Sequence, residues 1–211
     1  LEFEPHPDNL TAALFGGWNL CLPKINLNAL DSTGKEKETL ENKDGTATPS
    51  DLAEGPSFMH IPLKIRAPVK LAGIIPDLRL ETRDSRQLIP VTVSRTDLIF
   101  QTSRVAALVA LLNEEKPFGA QTLAFRTAME DRLHTSQRAH LIPEMFQIFE
   151  DWYQEGALGC FLSGAGSTLL AFWPSNIDTT KLDLSKRLTS KKIACVQREF
   201  QIDTNGLMIL S

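Results

Sequence analysis

The sequence predicts an α+β fold. Apolar residues alternate in short strand-like runs in the first and last thirds, they recur at helical spacing in the middle third, and the two kinds of run do not follow one another in regular βαβ order. With 211 residues, 42% of them hydrophobic and 23% charged, the chain can bury a substantial core without disulfide or metal staples.

The first element expected is a short helix over 10–15, entered through Pro7-Asp8-Asn9, where a carboxylate or carboxamide can accept from exposed N–H groups. Gly16-Gly17 stops it, and 18–22 then reads as a strand. The run 58–65 alternates through Met59, Ile61, Leu63 and Ile65 and is expected to pair with it. Between them, 31–56 carries three Lys against seven Asp or Glu, so its local charge of −4 equals that of the whole chain. With few apolar side chains it reads as a mobile, solvated hairpin-tip insertion. A further strand is expected over 69–75, ending at Pro76.

From Asp97 onward Leu98, Val105, Val109 and Leu112 recur at helical spacing until Pro117 and Gly119, which predicts the main buried helix. Helices are also expected over 121–133 and 143–154, strands over 159–163, 169–172 and 193–200, and a helix within 176–188. There is no internal repeat.

Several function classes are disfavoured. A net charge of −4 supplies no general basic surface to neutralise phosphates, so nucleic-acid binding lacks its usual electrostatic driving force. Cys21, Cys160 and Cys195 are odd in number, far apart and without a C-x-x-C pair, which argues against a disulfide framework or a tetrahedral zinc site and fits a reducing compartment. Within the longest uncharged stretch, the run 156–173 before Pro174 is shorter than the ~20 apolar residues a membrane span needs and contains Gly, Ser and Thr throughout. The first nine residues have neither the initiator Met nor the regions of a signal peptide, and read as a cut from something longer.

Three constellations could carry chemistry. His6-Pro7-Asp8-Asn9 presents an imidazole, a carboxylate and a carboxamide at a helix entrance, although Asp8 or Asn9 could equally be an ordinary cap. Ser163-Gly164-Ala165-Gly166-Ser167-Thr168 lies between two apolar runs, where glycines let backbone N–H groups approach an anion; a plain turn is the alternative. Thr82 and Arg86, with Arg138 from a separate segment, could converge on one carboxylate, the planar ligand that guanidinium groups suit. Solvent-facing arginines are the alternative there. His60, His134 and His140 are scattered and read as surface or packing residues, and no triad, dyad or metal cluster has interpretable spacing.

Taken in order, these pieces resemble the homoserine kinase family of the galactokinase, homoserine kinase, mevalonate kinase and phosphomevalonate kinase (GHMP) superfamily. The resemblance runs through His-Pro-Asp-Asn at 6–9, Ala-Leu-Phe-Gly-Gly at 13–17, Ile-Ile-Pro-Asp at 74–77 and Glu-Thr-Arg-Asp-Ser-Arg at 81–86. It continues with Leu-Ile-Pro at 88–90 and 141–143, Asp-Arg-Leu-His at 131–134, Arg138, and Gly-Ala-Leu-Gly-Cys-Phe-Leu-Ser-Gly-Ala-Gly at 156–166. Ser167 departs from the family pattern, which has Pro there. The family's Pro-x-x-x-Gly-Leu-Gly-Ser-Ser loop and an acidic magnesium ligand would lie upstream, so the chain alone is expected to be inactive.

The resemblance implies the end of a GHMP-kinase N-terminal domain over 1–66 and a ferredoxin-like C-terminal domain over 67–211. It implies transfer of the γ-phosphoryl group of ATP, with Mg²⁺, to the side-chain hydroxyl of L-homoserine, in a cytoplasmic or plastid enzyme of threonine biosynthesis. On that basis His6 and Asn9 would line the amino-acid pocket, Asp8 would order its turn, and Thr82, Arg86 and Arg138 would contact substrate. Ser163, Gly164 and Gly166 would shape the loop over substrate and phosphates. No residue of the chain is assigned as a catalytic base or metal ligand, and no nucleic-acid or membrane partner is expected. A homodimer, a kinase for another small alcohol, and a non-catalytic fragment binding an amino acid or a partner stay open.

Overall fold

The computed structural model describes residues 7–23, 58–80, 85, 87–115, 119 and 121–208, and of these the side chains of 7–10, 23 and 58 are not described. The chain divides into two compact units, 1–64 with 202–211, and 65–201.

In the first unit α1 (Pro7–Phe15) is followed by β1 (Trp18–Pro23), which pairs antiparallel with β2 (Phe58–Leu63) from Trp18↔Leu63 to Pro23↔Phe58. The expected pairing of the two strands is therefore present, and the 31–56 insertion lies outside the described residues. The helix starts three residues earlier than expected. Pro7 has no N–H to leave unsatisfied at a first helical position, so Asp8 and Asn9 sit within the first turn rather than before it. Gly16 takes φ +64, and a Cβ there would meet Gly206 N at 2.6 Å, because the 202–208 segment runs against the end of α1. Gly17 N donates to Asp203 O (2.6 Å) and Leu207 N to Leu14 O (3.1 Å). His60 stacks on Phe15 with ring centroids 4.1 Å apart, the packing role its isolation suggested.

The second unit is a four-stranded antiparallel sheet with helices on its faces. Its elements are β3 (Val69–Pro76), α2 (Arg95–Leu112), α3 (Thr122–Ala128), α4 (Thr135–Arg138), α5 (Met145–Gln154), β4 (Gly159–Leu162), β5 (Leu169–Pro174), α6 (Lys186–Ser190) and β6 (Cys195–Phe200). The strand order β4-β5-β3-β6 puts the first and third strands of the unit at the centre, which is the ferredoxin-like βαββαβ topology. Alternation decides the faces. Ala72, Ile74, Cys160, Leu169, Ala171 and Trp173 point to one side and pack with Met145, Ile148, Phe149 and Trp152 of α5 and Leu188 of α6. On the other side Phe172 meets Phe125 of α3 edge-on at 5.5 Å, and Gly159 leaves room for Met129.

Two expectations are corrected. Periodicity predicts α2 as the main buried helix, yet Leu112 is its one buried residue, while Leu98, Ile99 and Val105 are about half exposed. A helical apolar period shows that a face is apolar and not what covers it. The most buried helix is α5, whose Trp152 also donates its indole N–H to Leu184 O (3.0 Å). The helix expected within 176–188 is divided into a 3₁₀ turn over Thr179–Lys181 and α6. Asp178 accepts from Thr180 N (3.2 Å) and Oγ1 (2.6 Å), and Gln197 Oε1 accepts from Leu184 N (2.9 Å), so local side chains compete successfully with the helical ladder.

Candidate functional site

The site is built up from a turn. Asp131 accepts three consecutive backbone N–H groups, from Leu133 (2.8 Å), His134 (3.1 Å) and Thr135 (2.8 Å), and the Thr135 hydroxyl (2.9 Å). Burial opposes its ionisation, but the hydrogen bonds from His134, Thr135 and Leu133 outweigh that and hold the carboxyl well below the usual carboxylate range. Asp131 thereby fixes the entry to α4. One turn later α4 ends on Arg138, which is 6% exposed.

The turn is held from the α2 side as well. The guanidinium groups of Arg104 and Arg132 lie 3.2 and 3.7 Å from the centroid of the Phe100 ring, with Arg104 on Glu130 (2.6 Å) and Arg132 on Asp97 (3.3 Å). These contacts join α2 to the segment just before α4.

Arg138 brings two distant pieces of chain together. Its Nε–H donates to Ser85 O at 2.9 Å and its Nη1–H to Gly164 O at 3.0 Å, across sequence separations of 53 and 26 residues. Ser85 is fully buried, and its hydroxyl has no hydrogen-bond partner among the described residues. Gly164 belongs to the β4–β5 connection, where Ser163 N donates to Thr168 O (3.0 Å) and Gly166 N to Ser163 O (2.9 Å). Gly164 and Gly166 adopt φ +54 and +98, conformations that glycine takes without a Cβ penalty. A Cβ on Gly166 would also press on Leu80 (3.1 Å) and Leu162 (3.3 Å). Ser167 donates its hydroxyl to Pro76 O (3.3 Å), tying the turn to the end of β3 by a bond that proline cannot make.

The structure thus gathers Arg138, Ser163, Gly164 and Gly166, together with the backbone of the 81–86 segment at Ser85. Thr82, Arg86 and His6 lie outside the described residues, as do the side chains of Asp8 and Asn9. Sequence reasoning did not single out three contributors. Asp131 has a cap-like signal, an acidic residue four positions before a threonine at a helix start. Ser85 and the Ser167 hydroxyl bond have no such signal, since both depend on contacts 53 and 91 residues away. Among the described residues no group of three or more His, Cys, Asp or Glu could hold a metal ion.

Comparison with known proteins decides the family. Residues 104–187, from mid-α2 to the start of α6, match the family description "GHMP kinases C terminal". This region is a GHMP-kinase C-terminal domain. The whole chain is 30% identical over 210 residues to a homoserine kinase of Clostridium botulinum, covering 100% of this chain and 59% of that relative, in its C-terminal part. It is 29% identical over 204 residues to a homoserine kinase of Saccharomyces cerevisiae, covering 92% of this chain and 56% of that relative. The chain thus spans somewhat over half the length of the GHMP kinases it matches. In fold it is similar to the crystal structure of a homoserine kinase from Cytophaga hutchinsonii, with a TM-score of 0.62 and 24% identity, over 71% of this chain and 46% of that one. The α+β expectation and the ferredoxin-like GHMP C-terminal domain are both borne out.

Proposed function

We propose that the protein containing this chain is a homoserine kinase, which transfers the γ-phosphoryl group of ATP to the side-chain hydroxyl of L-homoserine. The observation that carries this reading is the similarity to homoserine kinases along the entire chain, in both compact units. The Arg138 bridge supports it, because it assembles two of the three motifs assigned to substrate at one place.

In the reaction the bond between the γ-phosphorus and the β–γ bridging oxygen of ATP breaks. A new bond forms to the homoserine hydroxyl oxygen, which loses its proton. Such a transfer depends mainly on positioning and charge stabilisation. In this reading Arg86 and Arg138 contact the amino-acid carboxylate, Thr82 adds a hydroxyl contact, His6 and Asn9 line the amino-acid pocket, and Asp8 orders that turn. The Ser163–Thr168 turn closes over substrate and phosphates. No step is assigned to a metal ion.

The test is ADP release by the complete protein with ATP and a panel of small alcohols. The reading predicts turnover with L-homoserine at a kcat/KM at least about tenfold above that with mevalonate, galactose or L-serine. Equal or faster turnover with an alcohol lacking the carboxylate would replace homoserine as the substrate.

A further inference from the structure

Arg138 sits where a ligand contact was expected, but its bonds give it a second task. We infer that Arg138 is a positioning residue that locks the Ser163–Thr168 turn to the segment around Ser85, so that the two pieces of the site hold one arrangement before any ligand arrives. The inference rests on the kinase reading for what the turn does, and on geometry alone for the lock.

The Nε–H and Nη1–H groups of a guanidinium point away from different edges of one rigid plane, so the side chain serves as a bridge between two separate acceptors. Two of its acceptors are main-chain carbonyls, at 2.9 and 3.0 Å, in segments that share no ladder hydrogen bond among the described residues. At 6% exposure the bridge is shielded from water, where bonds to a charged donor count most. Gly164 reinforces it. Its left-handed conformation sets the direction of the bonded carbonyl, and a Cβ added to Gly164 would meet nothing within 4 Å, so space is not what requires glycine there. Asp131 fixes the other end of the device by holding the first turn of the helix that carries Arg138.

Two consequences distinguish a lock from a contact used only by substrate. Without ligand, loosening the bridge should free both segments at once. With ligand, a displaced turn should harm the transfer step as well as capture.

The experiment measures backbone hydrogen exchange of the ligand-free chain for wild type, Arg138→Lys and Arg138→Met. It then measures homoserine kinetics of the complete protein with the same substitutions. Lysine keeps the charge but cannot span two carbonyls in one plane, and methionine keeps the stem without donors. Loss of a charge-assisted bond should raise exchange in 85–89 and 163–168 together by roughly tenfold to a hundredfold, with α5 and β5 unchanged. In the complete protein kcat should fall along with the rise in homoserine KM. Wild-type protection in either segment would overturn the lock, as would an equal rise throughout α5 and β5, and so would a raised KM with kcat intact. Absence of homoserine-dependent turnover in the wild type would instead remove the kinase reading, and the exchange measurement would still decide the lock.

Discussion

At the scale of single residues, a few polar side chains determine how the site is presented. Asp131 is the clearest. Its carboxyl titrates below its unfolded value, so the stability it contributes is complete above the unfolded aspartate pKa and is lost as pH falls through the folded one. Asp131→Ala should therefore lower unfolding free energy by about 1–2 kcal/mol at neutral pH, as for other helix-entry caps. The difference from wild type should shrink below about pH 4, and chemical denaturation at several pH values measures it. A difference that persisted undiminished at pH 2 would mean that Asp131 acts through packing instead. Arg86 supplies a second prediction, this one about binding. Arg86→Ala should reduce kcat/KM for homoserine roughly tenfold to a hundredfold through loss of a charged bidentate contact, with the ATP KM almost unmoved. Steady-state kinetics of the complete protein test it, and unchanged homoserine kinetics would take Arg86 out of the site. That Arg138 and the glycine turn belong together was legible in the sequence from their motifs, whereas Arg86 lies outside the described residues. The two carbonyls that Arg138 engages were not legible, since a backbone acceptor leaves no mark on the residue that bears it.

At the scale of elements, close packing around the central strand explains which glycines matter. Gly73 lies in β3 between β5 and β6, and a Cβ there would come within 2.0 Å of Leu169 O, part of the paired backbone. Gly159 looks just as crowded, with Met129 Cγ at 2.2 Å, but a flexible methionine can swing away. Gly73→Ala should therefore cost several kcal/mol or prevent folding, whereas Gly159→Ala should cost about 1–2 kcal/mol. Thermal melts of the two variants compare them directly, and equal losses would contradict the distinction. The strands were legible because apolar residues alternate along them, and the pairing of β1 with β2 was expected from the same pattern, although its register was not. The burial of α2 and the helix within 176–188 were misread for one shared reason. Periodicity and propensity are local, while the cover over α2 and the Asp178 and Gln197 bonds that reshape 178–184 are set by the rest of the molecule.

At the scale of the whole molecule, the ferredoxin-like unit brings the ends of β3, β4 and β5 to the place where Arg138 arrives from the helical side. The first unit carries α1 on a chain that continues into a hairpin. One fold can host many functions, so substrate identity resides in side chains and not in topology. None of the described helices is long and apolar enough to cross a membrane. The central claim is that these side chains serve homoserine phosphorylation. The most direct measurement is ATP-dependent formation of O-phosphohomoserine by the complete protein, followed by phosphorus NMR, in wild type and Arg138→Lys. The account predicts a phosphate monoester signal that requires both ATP and homoserine and accumulates at least about tenfold more slowly in the variant. ATP consumption without that monoester, or equal accumulation in both proteins, would contradict it.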